Sequence, residues 1–474
     1  MDTSLPTQIG RLITVGIGGD LQAALNQAVP GDTIELAAGA MFTGNFTLPN
    51  KSGTGWIVIR SSSAALLPAA GVRVTPTNAG LMPKILTPNS EPAIKTQAGA
   101  HHYRLIGLDV GIVAGVSLNY GIVALGEGGA PQTTAASVPK DITIDHCYVH
   151  GNTTGNVMRG IALNSASTAV IDSYISECHA VGFDTQAICG WNGPGPFKIV
   201  NNYLEGAGEN FMIGGADPAI SGLVASDIEF RRNHCFKPLR WKQGDPSYAG
   251  TLWSVKNSFE LKSARRVWVE GNVFENNWQQ AQDGFAIVLK VQNQDGGATW
   301  TETVDVTFIN NIVRHSGAGI NLLGNDPYQQ SLPMKRLLIR NNSWEDINGA
   351  KWGGTHGRWL QIANADSVTV DHNTIEHTGN LITVYSVNDT GLPTASFIYT
   401  NNSSKHNEYG VIGDGTGPGN PTLNRYFPSV VFTGNLLDGG NSTIYPAGNY
   451  FTASSAPPGT GADMNAITAA QNRQ

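Results

Sequence analysis

The chain has 474 residues, a net charge of −7, only 14 % charged residues and 57 glycines. Glycine and asparagine in such abundance, with few charges, describe a turn-rich all-β protein and exclude a charged, disordered one. No basic tail or run is present to neutralise many phosphates, which argues against nucleic acid as a partner, and no apolar stretch approaches the ~18 residues of a membrane span. Four cysteines, Cys147, Cys178, Cys189 and Cys235, are too few for a disulfide scaffold at this length and read as buried thiols.

In chain order, residues 1–17 form an N-terminal extension. "DLQAALNQA" then predicts a short amphipathic helix with an aspartate at its start, and "PGDTIELAAGAMFTGNFTLP" a turn leading into alternating strand residues. From residue 140 onward one phrase recurs: apolar, any, apolar, two polar residues, Asn, then an apolar or aromatic pair. It appears as "FKIVNNYLEG", "RVWVEGNVFEN", "DVTFINNIVRH" and "SVTVDHNTIEH" among others. Its asparagines are Asn202, Asn233, Asn272, Asn311, Asn342, Asn373, Asn402 and Asn435, and two earlier copies place Cys147 and Ser173 at the same point.

Successive copies are 26 to 39 residues apart, with period-two alternation inside each. This is the signature of a solenoid, one coil of about three short strands per copy, so length alone does not count domains. Asparagines repeated at one turn are expected to stack their amides from coil to coil, satisfying polar groups inside a tight bend. A helix at the open end of such a stack acts as a cap. The expected organisation is one domain over 18–452, with a C-terminal tail at 453–474.

The capping helix, the "PGDTI" entry and the asparagine repeat resemble the pectin-lyase-like superfamily. The resemblance implies a right-handed parallel β-helix, an all-β solenoid. It also implies that the ladder asparagine lies between the second and third strands of each coil, with a ligand cleft over the first strand. Carried onto the stretch "SFELKSARRVWVEGNVFENN", "SFELKSA" becomes a first strand. Alternation then points Phe259 and Leu261 inward and Glu260 and Lys262 onto the cleft face. On neighbouring first strands Lys290, Asn321, Gln361 and Tyr385 face the same way, and Asp217 closes the preceding one. The fold itself leaves the reaction open, because it hosts lyases, hydrolases, esterases and adhesins.

Eliminative cleavage of a uronic-acid polymer needs a base to take the proton beside the carboxylate and a cation to neutralise that carboxylate. A lysine among other cations and partly desolvated can be that base. "FELKSA" is similar to the acid-x-Lys-Ser pattern of the alginate and chondroitin lyase branch. That resemblance implies Lys262 as base, Lys290 and Arg265 as neutralising cations, and Glu260 with Asp217 as ligands of a calcium ion. The neighbouring coil offers Lys290 where the pattern has arginine.

The long loop at 237–257 carries Trp241 and Trp253, and later loops carry Trp300 and Tyr328, so a groove walled by aromatics is expected to hold a polysaccharide. Two alternatives stay open: an inverting glycoside hydrolase using Asp217 and Glu260, and a glycan-binding β-helix without catalysis. A polymer-degrading enzyme of this type is expected outside the cell or in the periplasm, as a monomer, although "MDTSLPTQIG" has no signal-peptide pattern.

Overall fold

The computed structural model describes residues 1–354, 357–386 and 394–473. The chain divides into two compact units: Met1–Met212 with Pro218–Glu229, and Ile213–Asp217 with Phe230–Gln474. Each is built from stacked right-handed coils of parallel β-strands.

In the first unit the helix Leu21–Gln27 caps the stack. Asp20 accepts from the Ala23 amide, and Leu21, Ala24 and Leu25 form the helix's buried face. The strands Thr33–Leu36, Ile57–Ser61, His101–Ile106, Lys140–Asp145, Ala166–Ile171 and Phe197–Val200 then pair in parallel, each on its predecessor.

In the second unit each coil supplies three strands. The sheet that carries Glu260 and Lys290 holds Asn257–Leu261, Phe285–Lys290, Ala318–Leu323, Leu360–Ala363, Ile382–Tyr385 and Val411–Gly413. Ala264–Glu270 and Val273–Asn277 are the second and third strands of the first of these coils, and each is continued by the matching strand of the next coil. The interior is packed by rings in file, including Phe274, Phe308 and Trp344, with successive centroids 5.8 and 6.0 Å apart.

The corner between second and third strands explains the asparagine doublets. The residue ahead of each ladder position has positive φ: 56° at Asn310, 52° at Asn341, 52° at His372 and 56° at Asn401. Asparagine tolerates this left-handed geometry better than most residues, and glycine takes it at 271 and 434. The next asparagine turns inward, fully buried, and its side chain donates along the stack. Asn272 Nδ2 reaches Asn311 Oδ1 at 2.9 Å, and the pattern continues through Asn342, Asn373, Asn402 and Asn435 to Asn449. In the first unit Ser173 and Asn202 take this role, Ser173 Oγ accepting from the Cys147 amide and Asn202 Oδ1 from the Ser173 amide, each at 3.0 Å.

All four cysteines are buried free thiols. The segment expected to be a tail ends in a helix, Met464–Asn472, capped by Asp463. It is strapped along the corner by hydrogen bonds from Gly461 to Asn401, from Ala462 to Thr374 and between Asp463 and Asn341.

Candidate functional site

Glu260 and Lys262 sit where alternation puts them, outside the ring of inward Phe259 and Leu261, yet neither is exposed. Glu260 is fully buried and Lys262 is 6 % exposed. Part of the cover is backbone: Gly214, at φ 99°, runs so close that a Cβ there would stand 2.7 Å from the Cβ of Lys262. The Lys262 amide donates to Ile213 O at 2.8 Å, which fixes that approach.

The centre of the cluster is one carboxylate oxygen. Glu260 Oε1 lies 3.6 Å from Lys262 Nζ and 3.4 Å from Lys290 Nζ. Because both contacts are to the same atom, the two ammoniums are no farther apart than those two distances combined. Glu260 Oε2 accepts from Asn257 Nδ2 at 3.0 Å, and the Asn257 amide also reaches Gln282. The fully buried Lys237 donates to the main-chain oxygen of Asn257 at 2.9 Å, anchoring the start of the strand.

Burial is the largest influence on Lys290 and lowers its pKa. Glu260 opposes that shift, Lys262 and Lys256 reinforce it, and the net direction is down from 10.5. Lys256, 9 % exposed, was missed in the sequence although it has the same parity as Glu260 and Lys262. Extending the alternation one step before the strand would have found it.

The remaining expected site residues fall into three groups. Asn321 and Gln361 continue the outward file of Glu260, but Val288, 7 % exposed, comes between Glu260 and Asn321 in register. Tyr385 lies beside Gln361, within hydrogen-bonding reach of it. Arg265 is on the following strand, its guanidinium engaged by Glu302. Asp217 Oδ2 accepts from the Gly297 amide at 2.8 Å, holding the loop after Lys290. Trp241 and Trp253 are buried at 2 % and 3 % exposure, so their rings pack the long loop. Tyr328 is 88 % exposed, and Trp300 is half-buried.

Among the described residues, one group has ligand atoms close enough to hold a metal: Asp145, His146 and Asp172, all buried, in the first unit. Every one of those atoms is already engaged. Asp145 Oδ2 takes Arg104 Nη2 at 2.6 Å and its Oδ1 meets His146 Nδ1 at 2.5 Å. Asp172 accepts from Gly71 N at 2.8 Å and from Asn201 Nδ2 at 2.6 Å. His146 Nε2 faces Ala69 O at 3.4 Å and Asp172 Oδ2 at 3.8 Å. A guanidinium in contact and a histidine between two carboxylates make this set a poor cage for a cation. Glu260, ringed by ammoniums, suits calcium no better.

No family model matches the chain, and no curated protein does. It is similar to several solved structures. A crystal structure of pectate lyase Pel9A is 12 % identical, with 95 % of this chain and 82 % of that chain covered and a TM-score of 0.41. A mannuronic acid specific polysaccharide family 6 lyase from human gut microbiota is 9 % identical, with 98 % and 99 % covered and a TM-score of 0.41. A complex of XylC with xylose is 8 % identical, with 94 % and 87 % covered and a TM-score of 0.45. At such identities the chemistry rests on this chain's own residues.

Proposed function

We propose that the protein is a carbohydrate-active enzyme that cleaves a uronic-acid polysaccharide by β-elimination, acting where such polymers occur, outside the cell or in the periplasm. The observation that carries this reading is the convergence of Lys262 and Lys290 on one oxygen of the buried Glu260, with Lys256 adding positive charge. When Lys290 is neutral, Glu260 and Lys262 balance each other, and Lys256 supplies the positive charge left over for a sugar carboxylate. The same crowding favours loss of one lysine proton.

Of the two lysines in contact with Glu260, Lys290 is the better base. Its side chain is 22 % exposed against 7 % for Lys262, and burial favours its neutral form. Neutral Lys290 takes the proton from the carbon beside the sugar carboxylate, and Lys262 stabilises the negative charge that develops on that carboxylate. The electron pair closes a carbon–carbon double bond and expels the glycosidic oxygen at the β-position. That oxygen receives a proton from the Lys290 ammonium or from water. One fragment ends in an unsaturated uronate, the other in a hydroxyl.

The test is incubation with pectate, alginate, chondroitin, glucan and xylan, following ultraviolet absorbance and reducing ends together. Absorbance that appears with a polyuronate and is lost in Lys290→Ala supports elimination. Reducing ends without absorbance would replace it with hydrolysis, and neither signal would leave a binding protein.

A further inference from the structure

Beyond Lys290 the same sheet carries a second polar group that the proposed chemistry does not use. Two coils on, Gln361 continues the register of Val288 and Asn321, and Thr383 follows it. Arg358, just before the strand Leu360–Ala363, extends over this file: its Nη1 donates to Gln361 Oε1 at 2.7 Å. Tyr385 stands beside the same amide.

Two features mark the group as built for something it does not itself contain. Among the described residues Asn321 Oδ1 and Thr383 Oγ1 are buried polar atoms without a hydrogen-bond partner, which native structures rarely tolerate unless a ligand or water completes them. Arg358 makes no ion pair with a carboxylate among the described residues, and its bond to Gln361 is to a neutral amide.

The spacing is informative. Strand 360–363 lies two strand spacings from the strand of Lys290, about 10 Å, and a pyranose unit in a glycan chain advances by a length close to one such spacing. We infer that Arg358, with Gln361 and Thr383, is a second carboxylate-binding position, which holds a uronic acid residue about two units along the chain from the one cleaved at Lys290, while Asn321 Oδ1, an acceptor, takes a hydroxyl of the sugar. This rests on the proposed function and adds to it: the substrate lies along the coil axis, and the enzyme reads charge at a distance from the bond it breaks. Arg358 is suited to this because its planar fork can bind a carboxylate through two parallel hydrogen bonds.

The experiment uses the full chain and a graded series of oligouronates, trimer to hexamer, with carboxyl-reduced counterparts. For the wild type, KM is expected to fall once the oligomer is long enough to reach Arg358, and carboxyl reduction should abolish that gain. Arg358→Ala should raise KM for the long oligomers roughly tenfold or more, with a smaller change in kcat, and Arg358→Lys should recover part of the loss. Unchanged thermal unfolding of both variants would rule out misfolding as the cause. If the wild type cleaves the series but its length dependence survives Arg358→Ala, this inference falls while the lyase reading stands. If the wild type neither binds nor cleaves any oligouronate, both fall.

Discussion

Two buried charged clusters, one in each unit, show how differently the same residue types can be used. Around Asp145, histidine and arginine meet the carboxylate at 2.5 and 2.6 Å, Asp172 takes the Gly71 amide at 2.8 Å, and Arg104 Nη1 reaches the oxygens of Thr3 and Ser4. Around Glu260 the ammoniums stand off at 3.4 and 3.6 Å, and cations outnumber the carboxylate. The first arrangement is complete and pins loop 69–74 and the N-terminal segment to the coils. The second carries surplus charge, which is what a site awaiting an anionic substrate would be expected to carry.

The sharpest way to break this contrast is to remove one group from each cluster. Lys290→Ala should lower turnover on the cleaved polyuronate by about 10²- to 10⁴-fold, the usual size of a lost general base. Lys290→Arg should not restore it, because a guanidinium does not give up its proton. The check is initial rates of unsaturated-product absorbance. Arg104→Ala should instead cost about 3 kcal/mol of stability or more by leaving Asp145 buried beside a lone histidine, with activity per folded molecule retained. Denaturant unfolding followed in parallel with turnover separates the two effects.

The clusters should also respond to pH with opposite signs. For His146, burial acts downward, but the hydrogen bond to Asp145 and the charges of Asp145 and Asp172 outweigh it, and the net pKa is raised above 6.5. Its stabilisation is therefore complete below pH 6.5 and is lost as pH rises through the raised value. For Lys290 the folded pKa lies below 10.5. Between that lowered value and 10.5 the unfolded chain binds more protons, so this group's contribution to stability improves with rising pH, and catalysis by its neutral form rises over the same limb. Unfolding free energies across pH for His146→Gln and Lys290→Met should each remove one of these slopes. The smallest effect expected is that of a chelator on the unfolding midpoint, which should not move, because the Asp145 network is held together by hydrogen bonds and ion pairs. A marked fall would make that network a metal site after all.

Much of the second unit was legible because its chemistry is periodic. The asparagine doublets encode a left-handed residue followed by an inward amide, and alternation around Glu260 gives the facing of Lys262 and Lys290. What alternation cannot give is depth. Glu260 faces outward yet is fully buried, packed among Asn257, Lys262 and Lys290, and the backbone that covers Lys262 comes from Gly214, on an earlier coil. Arg358 escaped notice for a related reason: by parity it belongs with inward Leu360 and Ile362, but it precedes the strand, where the chain has not yet entered the pleat. The tryptophans of the long loop were visible as a group, while their burial depends on how the loop folds on itself. The Asp145 network joins residues up to 101 positions apart, and its members follow no repeat.

The asparagine file also has an electrical direction and an end. Each amide gives its N–H toward the next coil, so the small dipoles add head to tail and polarise one another, as the peptide groups of a helix do. At Asn449 the file stops: this side chain accepts from Asn435 and then turns both of its own hydrogens back, to Phe432 O and Pro446 O at 3.0 Å each. No donor is left to recruit a further coil. The last rung thus closes the file, its dipole ending on main-chain oxygens of residues that precede it in the chain.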